Sequence, residues 1–324
     1  MKPNESLLIF RDQAMQFYKM YEKIFLAMAK FMGTIYMLIE INNTIGYTPV
    51  LTRSYVIGAL ACVSALLPVQ FMMIMAMIII VTHLLSFNLL IGMGMFMICL
   101  CLYIFFIRLY PKESLMIVVT ILAFKLNLHY AVAIIGGLFG GFSVSVGILI
   151  GIVAVFSMQS IAPIVQATVQ AKEPLSMFVG SLNVFMAQVV QNPTMLATMS
   201  VLLIVFCVVL VIRKQMLDYA PYIAIIIGGA MNILGFVMAI LFLKLPINVL
   251  LLVVMSIISV FLASIIQFMS KPLDYSRSET VQFEDEDNHY FVKVVPKVKA
   301  QKEYSKVEKV YAGHHKSEAI EIEE

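Results

Sequence analysis

The feature that most constrains this chain is a nearly unbroken series of apolar segments between residues 54 and 270. A helix needs about 20 apolar residues to cross the hydrocarbon core of a bilayer, and this stretch has room for several. Only 13% of all residues are charged and 61% are hydrophobic, whereas about a quarter of the residues of a typical soluble domain are charged. The sequence therefore predicts an all-α, multi-pass (polytopic) membrane protein.

Two classes of apolar segment differ in length. Two runs are too short to span, residues 54–67 and residues 114–124; Pro68 ends the first, and Lys125 closes the second. We expect about six transmembrane helices plus two short re-entrant or half-inserted helices. The segments of spanning length are residues 69–86, 88–107, 130–158, 194–212, 219–243 and 247–269.

The basic residues predict an orientation, because cytoplasmic loops carry an excess of Lys and Arg. This rule assigns Arg53, residues 108–112, Lys125 and Arg213 to the cytoplasmic face, together with the charged tail. Residues 114–124 then begin and end on that face. Such a re-entrant segment is stable only where protein or a water-filled cavity covers its backbone. Both termini are expected in the cytoplasm of a cell whose plasma membrane holds the bundle.

Three regions follow from this pattern. Residues 1–50 are predicted as an amphipathic helix at the cytoplasmic membrane surface, with docking against the protein's own bundle as the open alternative. Residues 51–270 form the transmembrane bundle, in which residues 161–193 are expected to lie at a surface. Residues 271–324 form a charged cytoplasmic tail. This tail contains a β-hairpin over residues 280–295 and is expected to be disordered beyond Lys297.

Glycine is concentrated at the start of one predicted span. Small residues spaced by three others let membrane helices approach closely, and such packing is one interpretation of the pattern. The alternative is a break near Gly140–Gly141 that exposes backbone carbonyls to a permeating solute. The glycines proposed for the cavity or for helix packing are Gly136, Gly137, Gly140 and Gly141.

Few polar residues fall inside the apolar segments. Asn232 lies in the middle of residues 219–243, and Asn127 closes the second short run. An unpaired amide in hydrocarbon is costly, so Asn232 should have a partner. Contact between helices and contact with a ligand both remain open for these two residues.

No motif for catalysis is present in the sequence: it lacks GxxxxGK[ST], HExxH, GxSxG and CxxC. The acidic residues before residue 270 all fall at predicted interfaces, and the four cysteines lie inside apolar runs. We therefore predict no catalytic residues, no cofactor and no metal site, and we expect no nucleic-acid partner. The protein is predicted not to be an enzyme.

Two stretches, RLYPKESLMIVVTILAFKLNLHY and ETVQFEDEDNHYFVKVVPKV, carry a resemblance. Here the chain resembles multi-pass membrane proteins of clostridial-type anaerobic bacteria that are sometimes labelled ABC transporter permeases. The resemblance implies a separately encoded cytoplasmic ATPase. It carries over no site residue, but Arg108, Lys112 and Glu113 are the best-placed residues for coupling to such a partner.

The leading hypothesis is a permease-like transport or translocation subunit that acts with separately encoded partners. It depends on the two short apolar segments, each followed by a long apolar stretch, and on the lack of a catalytic set. Paired interrupted segments are typical of transport sites. The alternative is a membrane scaffold that recruits cytoplasmic proteins through its tail. Association with another membrane subunit or with a second copy stays open, as does the solute.

Overall fold

Helices dominate the chain from its N-terminus to residue 270. The structure, a computed structural model, describes residues 3–170, 174–215, 217–270, 279–285 and 288–294. The helices are α1 (Pro3–Met20), α2 (Glu22–Thr44), α3 (Ser54–Leu66), α4 (Val69–Phe87), α5 (Leu89–Leu102), α6 (Leu115–Lys125), α7 (His129–Phe139), α8 (Ser143–Gln170), α9 (Pro174–Phe185), α10 (Pro193–Ile212), α11 (Ala220–Leu243) and α12 (Val249–Ser270). Short π-helical segments, Tyr103–Ile107 and Met186–Val190, extend α5 and α9.

Seven helices among the described residues are long and apolar enough to cross a membrane: α2, α4, α5 with its π-helical extension, the first part of α8, α10, α11 and α12. The predicted helical membrane architecture is confirmed at this level. The small antiparallel sheet of the tail is also present, with β1 (Glu279–Glu284) paired to β2 (His289–Val294). The disorder predicted beyond Lys297 lies outside the described residues.

The N-terminal region differs from the single surface helix predicted for residues 1–50. The helix is interrupted at Tyr21, and α2 packs antiparallel to α3. The Thr34 and Ser64 hydroxyls are hydrogen-bonded at 2.7 Å, and Lys30 Nζ donates to the Leu67 carbonyl at 2.7 Å. The more apolar second half of the segment thus buries one face, so α2 is a candidate span and belongs to the bundle.

One end of the bundle is defined by Asn42, Thr48 and His83, and is called the Asn42 end. His83 Nε2 lies 2.8 Å from Asn42 Oδ1, and the Thr48 N–H donates to His83 Nδ1 at 3.0 Å. These bonds tie the C-terminal ends of α2 and α4 to the loop between α2 and α3. Because α3 begins at this end and stops near Lys30, it runs alongside α2 rather than returning to the face where it began.

The opposite end is defined by Glu113, Ser143 and Arg213, and is called the Arg213 end. From there α6 and α8 run parallel: Ser143 Oγ donates to Glu113 Oε1 at 3.3 Å. Farther along the two helices, the rings of Phe124 and Phe156 are centred 6.4 Å apart.

At the far end of α6, Lys125 forms an ion pair with Glu40 of α2. Lys125 is thus near the Asn42 end, away from Arg108. This contact corrects the prediction that Lys125 and Arg108 lie on the same face of the bundle.

The short helix predicted over residues 114–124 is followed at once by a second short helix, so the two form a pair. Helices α6 and α7 have eleven residues each, about 16 Å at 1.5 Å per residue, against a hydrocarbon core of about 30 Å. Helix α7 leads back to the Arg213 end, where α8 begins. The predicted span over residues 130–158 is therefore two helices, divided at Gly140. The long stretches predicted after the two short segments also differ, since the first begins with the long helix α4 and the second with the short helix α7.

The stretch predicted to lie at a surface, residues 161–193, is helical where it is described. Helix α8 continues to Gln170, and α9 packs back against it. Two buried apolar clusters form the core. One joins α7, α10, α11 and part of α8, and the other joins α2, α4 and α6. The α6–α7 pair therefore connects the two halves of the bundle.

The contact between α6 and α8 depends on glycine. A Cβ added at Gly151 would lie 2.6 Å from Thr120 Cβ, whereas a Cβ added at Gly94 in α5 would have nothing within 4 Å. We expect Gly151→Ala to lower the free energy of unfolding by about 1–3 kcal/mol through overpacking. Thermal unfolding in detergent measures this effect. Gly94→Ala is the control and should leave the transition unchanged or slightly higher; equal transitions for both variants would contradict the close packing.

Candidate functional site: an apolar cavity beside the α6–α7 pair

A cavity of about 370 Å³ lies between α2, α4, α5, α6 and α8, and Phe185 of α9 also lines it. This is within the range of about 300–1,000 Å³ for small-molecule sites. Its walls are almost entirely apolar. Each helix contributes aliphatic or thioether side chains, among them Met37, Met73, Met95, Ile117 and Val153.

One end of this cavity is polar. A side pocket of about 80 Å³ shares Glu40 with the main cavity and adds Thr44, Lys125 and Gln159. The side chains of Lys125 and Glu40 form an ion pair and are 46% and 21% exposed. The site is therefore amphipathic: an apolar chamber with a cation, a carboxylate and an amide at the Asn42 end.

Lys125 is the last residue of α6, and the turn that follows it ends the helix beside the side pocket. Asn127 adopts a left-handed backbone conformation with φ of 56°, which Asn tolerates better than most residues. The Leu128 N–H donates to the Ala123 carbonyl at 2.8 Å and closes the end of α6. Asn127, predicted as a cavity or packing residue, is exposed at this turn and does not line the cavity.

The glycines predicted for the cavity or for packing lie at the junction of α7 and α8. A Cβ at Gly137 would lie 2.8 Å from Val209, and one at Gly140 would lie 2.6 Å from Val144. A Cβ at Gly136 would lie 3.1 Å from Ile148. At Gly141 the nearest atom to an added Cβ would be Ser143 Oγ at 3.9 Å, which is ordinary contact. These four glycines do not line the cavity.

The contacts of Arg213 were not predicted from the sequence. Its guanidinium donates to the Leu138 carbonyl and, at 2.5 Å, to the Gly140 carbonyl. A cation at the C-terminus of a helix also interacts favourably with the helix dipole. Partial burial lowers the pKa of Arg213 from its usual value, but an arginine stays charged in proteins. The Leu138 and Gly140 carbonyls are therefore bonded by Arg213 and are not open to a solute.

A buried polar cluster lies on the other side of α7, next to α11. Asn232 Nδ2 donates to the Tyr130 carbonyl at 3.2 Å, and the Tyr130 ring packs edge-on against Phe236 with centroids 5.2 Å apart. Within the described residues, Asn232 Oδ1 and His129 Nδ1 are buried without a hydrogen-bond partner. Asn232 thus joins α11 to α7, and this cluster does not meet the cavity.

The predicted coupling residues lie in the loop before α6. Arg108 and Lys112 are exposed, so both are free to contact another molecule. Glu113 is less available: its carboxylate accepts from Ser143, and a Cβ at Gly147 would lie 3.0 Å from its carbonyl oxygen. Glu113 therefore holds the start of α6 against α8.

Comparisons with models of known protein families, with curated protein sequences and with solved structures find no match for this chain. Its class is defined by its own geometry: a helical protein with seven candidate membrane spans and an apolar internal cavity. In the part of the chain that the structure describes, no group of three or more His, Cys, Asp or Glu side chains could hold a metal ion.

The contact of Arg213 predicts a specific loss of stability. Arg213→Ala leaves two carbonyls without a charged donor, which costs about 1.5–3 kcal/mol or more per bond to a charged group. We expect a clear fall in the thermal transition of the detergent-solubilised protein. Lys214→Ala, at the exposed neighbouring position, is the matched control and should have little effect. Equal stability of the two variants would contradict the capping role.

Proposed function

We propose that the protein is a permease-like transport or translocation subunit of the membrane, with the cavity beside α6 and α7 as its solute site. The observation that carries this proposal is the cavity of about 370 Å³, which is lined by five helices and by Phe185 of α9. A scaffold that only anchors other proteins has no need of an apolar chamber of this size.

The interrupted helices beside the cavity support the proposal. Eight residues of α7 are buried, so protein covers most of a helix too short to span. Helices interrupted at membrane depth are tolerated only under such cover or beside a water-filled cavity. They are also the usual site of substrate binding in transporters.

The charges favour the Arg213 end as the cytoplasmic face. Basic residues collect there, whereas the described basic residues at the Asn42 end are Arg53, Lys125 and Lys244, one of them paired with Glu40. The positive-inside rule then assigns the Arg213 end to the cytoplasm. Because the sequence lacks a phosphate-binding loop, energy would come from a partner, and the exposed Arg108 and Lys112 are suited to contact it.

The scaffold remains a second candidate because of the tail. The β1–β2 hairpin leaves apolar side chains exposed, with Val281 at 44% and Phe283 at 53%. An isolated two-stranded hairpin is marginally stable in water, so a partner that covers these side chains would stabilise it.

The test separates the two candidates by what copurifies with the tagged protein in a gentle detergent. The transport proposal expects an ATPase with the full chain and with a chain truncated after residue 272. It also expects the ATPase to be lost from the double variant Arg108→Ala/Lys112→Ala, because the contact is electrostatic.

Lys244→Ala, which removes a cation at the opposite end, is the control and should retain the ATPase. Soluble proteins that require the tail, with no ATPase in any sample, would instead support the scaffold.

A further inference from the structure

The cavity and its polar side pocket together have the shape of an amphiphile. The apolar chamber and the side pocket share the lining residues Glu40, Ile121 and Met158, so they are adjacent. At their junction the lining changes from hydrocarbon to charged and hydrogen-bonding groups. A ligand that fills both parts needs an apolar body and a polar head at one end.

The cavity also opens toward the apolar outside of the bundle. Tyr36 and Ile98 line it, yet they are 39% and 54% exposed. Both therefore belong to the cavity wall and to the surface, on helices α2 and α5. A hydrocarbon chain in the bilayer could enter by this side opening without passing through water.

The chemistry of the head follows from Lys125. Its side chain is nearly half exposed, whereas the side chain of its partner Glu40 is the more buried of the two. The exposed amide of Gln159 lies in the same side pocket. An ammonium and an amide N–H both donate hydrogen bonds, so the available groups suit the oxygens of an acid.

We propose that the cavity binds a single-chain amphiphile with an acidic head, its hydrocarbon chain in the apolar chamber and its carboxylate or phosphate oxygens on Lys125. Burial of the chain supplies the affinity, at about 0.8 kcal/mol per CH₂ group. The head-group contact sets which end of the ligand enters the side pocket. This inference rests on the proposed function, because both take the cavity as the solute site. Binding of the amphiphile itself requires neither transport nor a partner protein.

The absence of tryptophan from the sequence makes a direct test possible. Phe185 lines the cavity, and Phe261 is 67% exposed on α12, so Phe185→Trp and Phe261→Trp are matched single-tryptophan reporters in the full chain. Dibrominated stearate, ionised, is titrated into each protein in a non-quenching detergent. We expect saturable quenching of the cavity tryptophan well above that of the surface tryptophan, which reports only partition into the micelle.

Two substitutions test where the chain and the head bind, each in the Phe185→Trp background. Ala154 lines the cavity, whereas Ala230 is exposed on α11. Ala154→Phe should remove the saturable quenching and Ala230→Phe should not. Lys125→Gln should weaken stearate binding about tenfold, the effect of losing one charge-assisted hydrogen bond. It should leave unchanged the binding of the matching dibrominated alcohol.

The outcomes decide the proposal. Equal quenching of the two tryptophans would overturn the cavity site, and equal binding of acid and alcohol in the Phe185→Trp chain that keeps Lys125 would overturn the acidic head. A dibrominated lysophospholipid distinguishes the two head groups: tighter binding than stearate assigns a phosphate, and weaker binding assigns a carboxylate. Thermal unfolding of each variant checks that it is folded. Binding without a copurified ATPase would retain this site while removing the transport proposal.

Discussion

The structure depends on how the backbone carbonyls are hydrogen-bonded where α7 ends and α8 begins. The last carbonyls of a helix have no partner within the helix, so the C-terminus of α7 requires a donor from elsewhere. Arg213 provides it, through the Leu138 and Gly140 carbonyls. With that bond in place, α7 can stay short, its glycines can pack against Val209 and Val144, and α8 can start anew at the same end as α6.

The α6–α7 pair lies between a densely packed part of the bundle and a part that contains the cavity. On the side of α10 and α11, α7 packs into a dense apolar cluster that includes the contact between Asn232 and Tyr130. On the side of α2 and α4, α6 stands apart from α5 and leaves the cavity. The halves of the bundle thus have different properties: one is close-packed around glycines, and the other leaves space.

The sequence predicted the class of fold because long apolar runs have few other solutions. It did not predict α2 as a span, since Lys30 and Glu40 interrupt that segment and their partners, the Leu67 carbonyl and Lys125, come later in the chain. The break at Gly140 was one of two open interpretations, because glycine serves close packing and helix ends alike. The site was missed for a related reason: a cavity is a gap between five helices, and no local pattern reports it.

Stability alone does not explain the ion pair of Lys125 and Glu40. Both side chains are partly exposed, and pairs of this kind contribute only about 0–1 kcal/mol. The two ionisable groups also make the end of the chamber a poor environment for a purely hydrocarbon ligand. The pair instead marks one end of the chamber as polar. A ligand with a polar head and an apolar chain is the class of molecule that makes use of both parts.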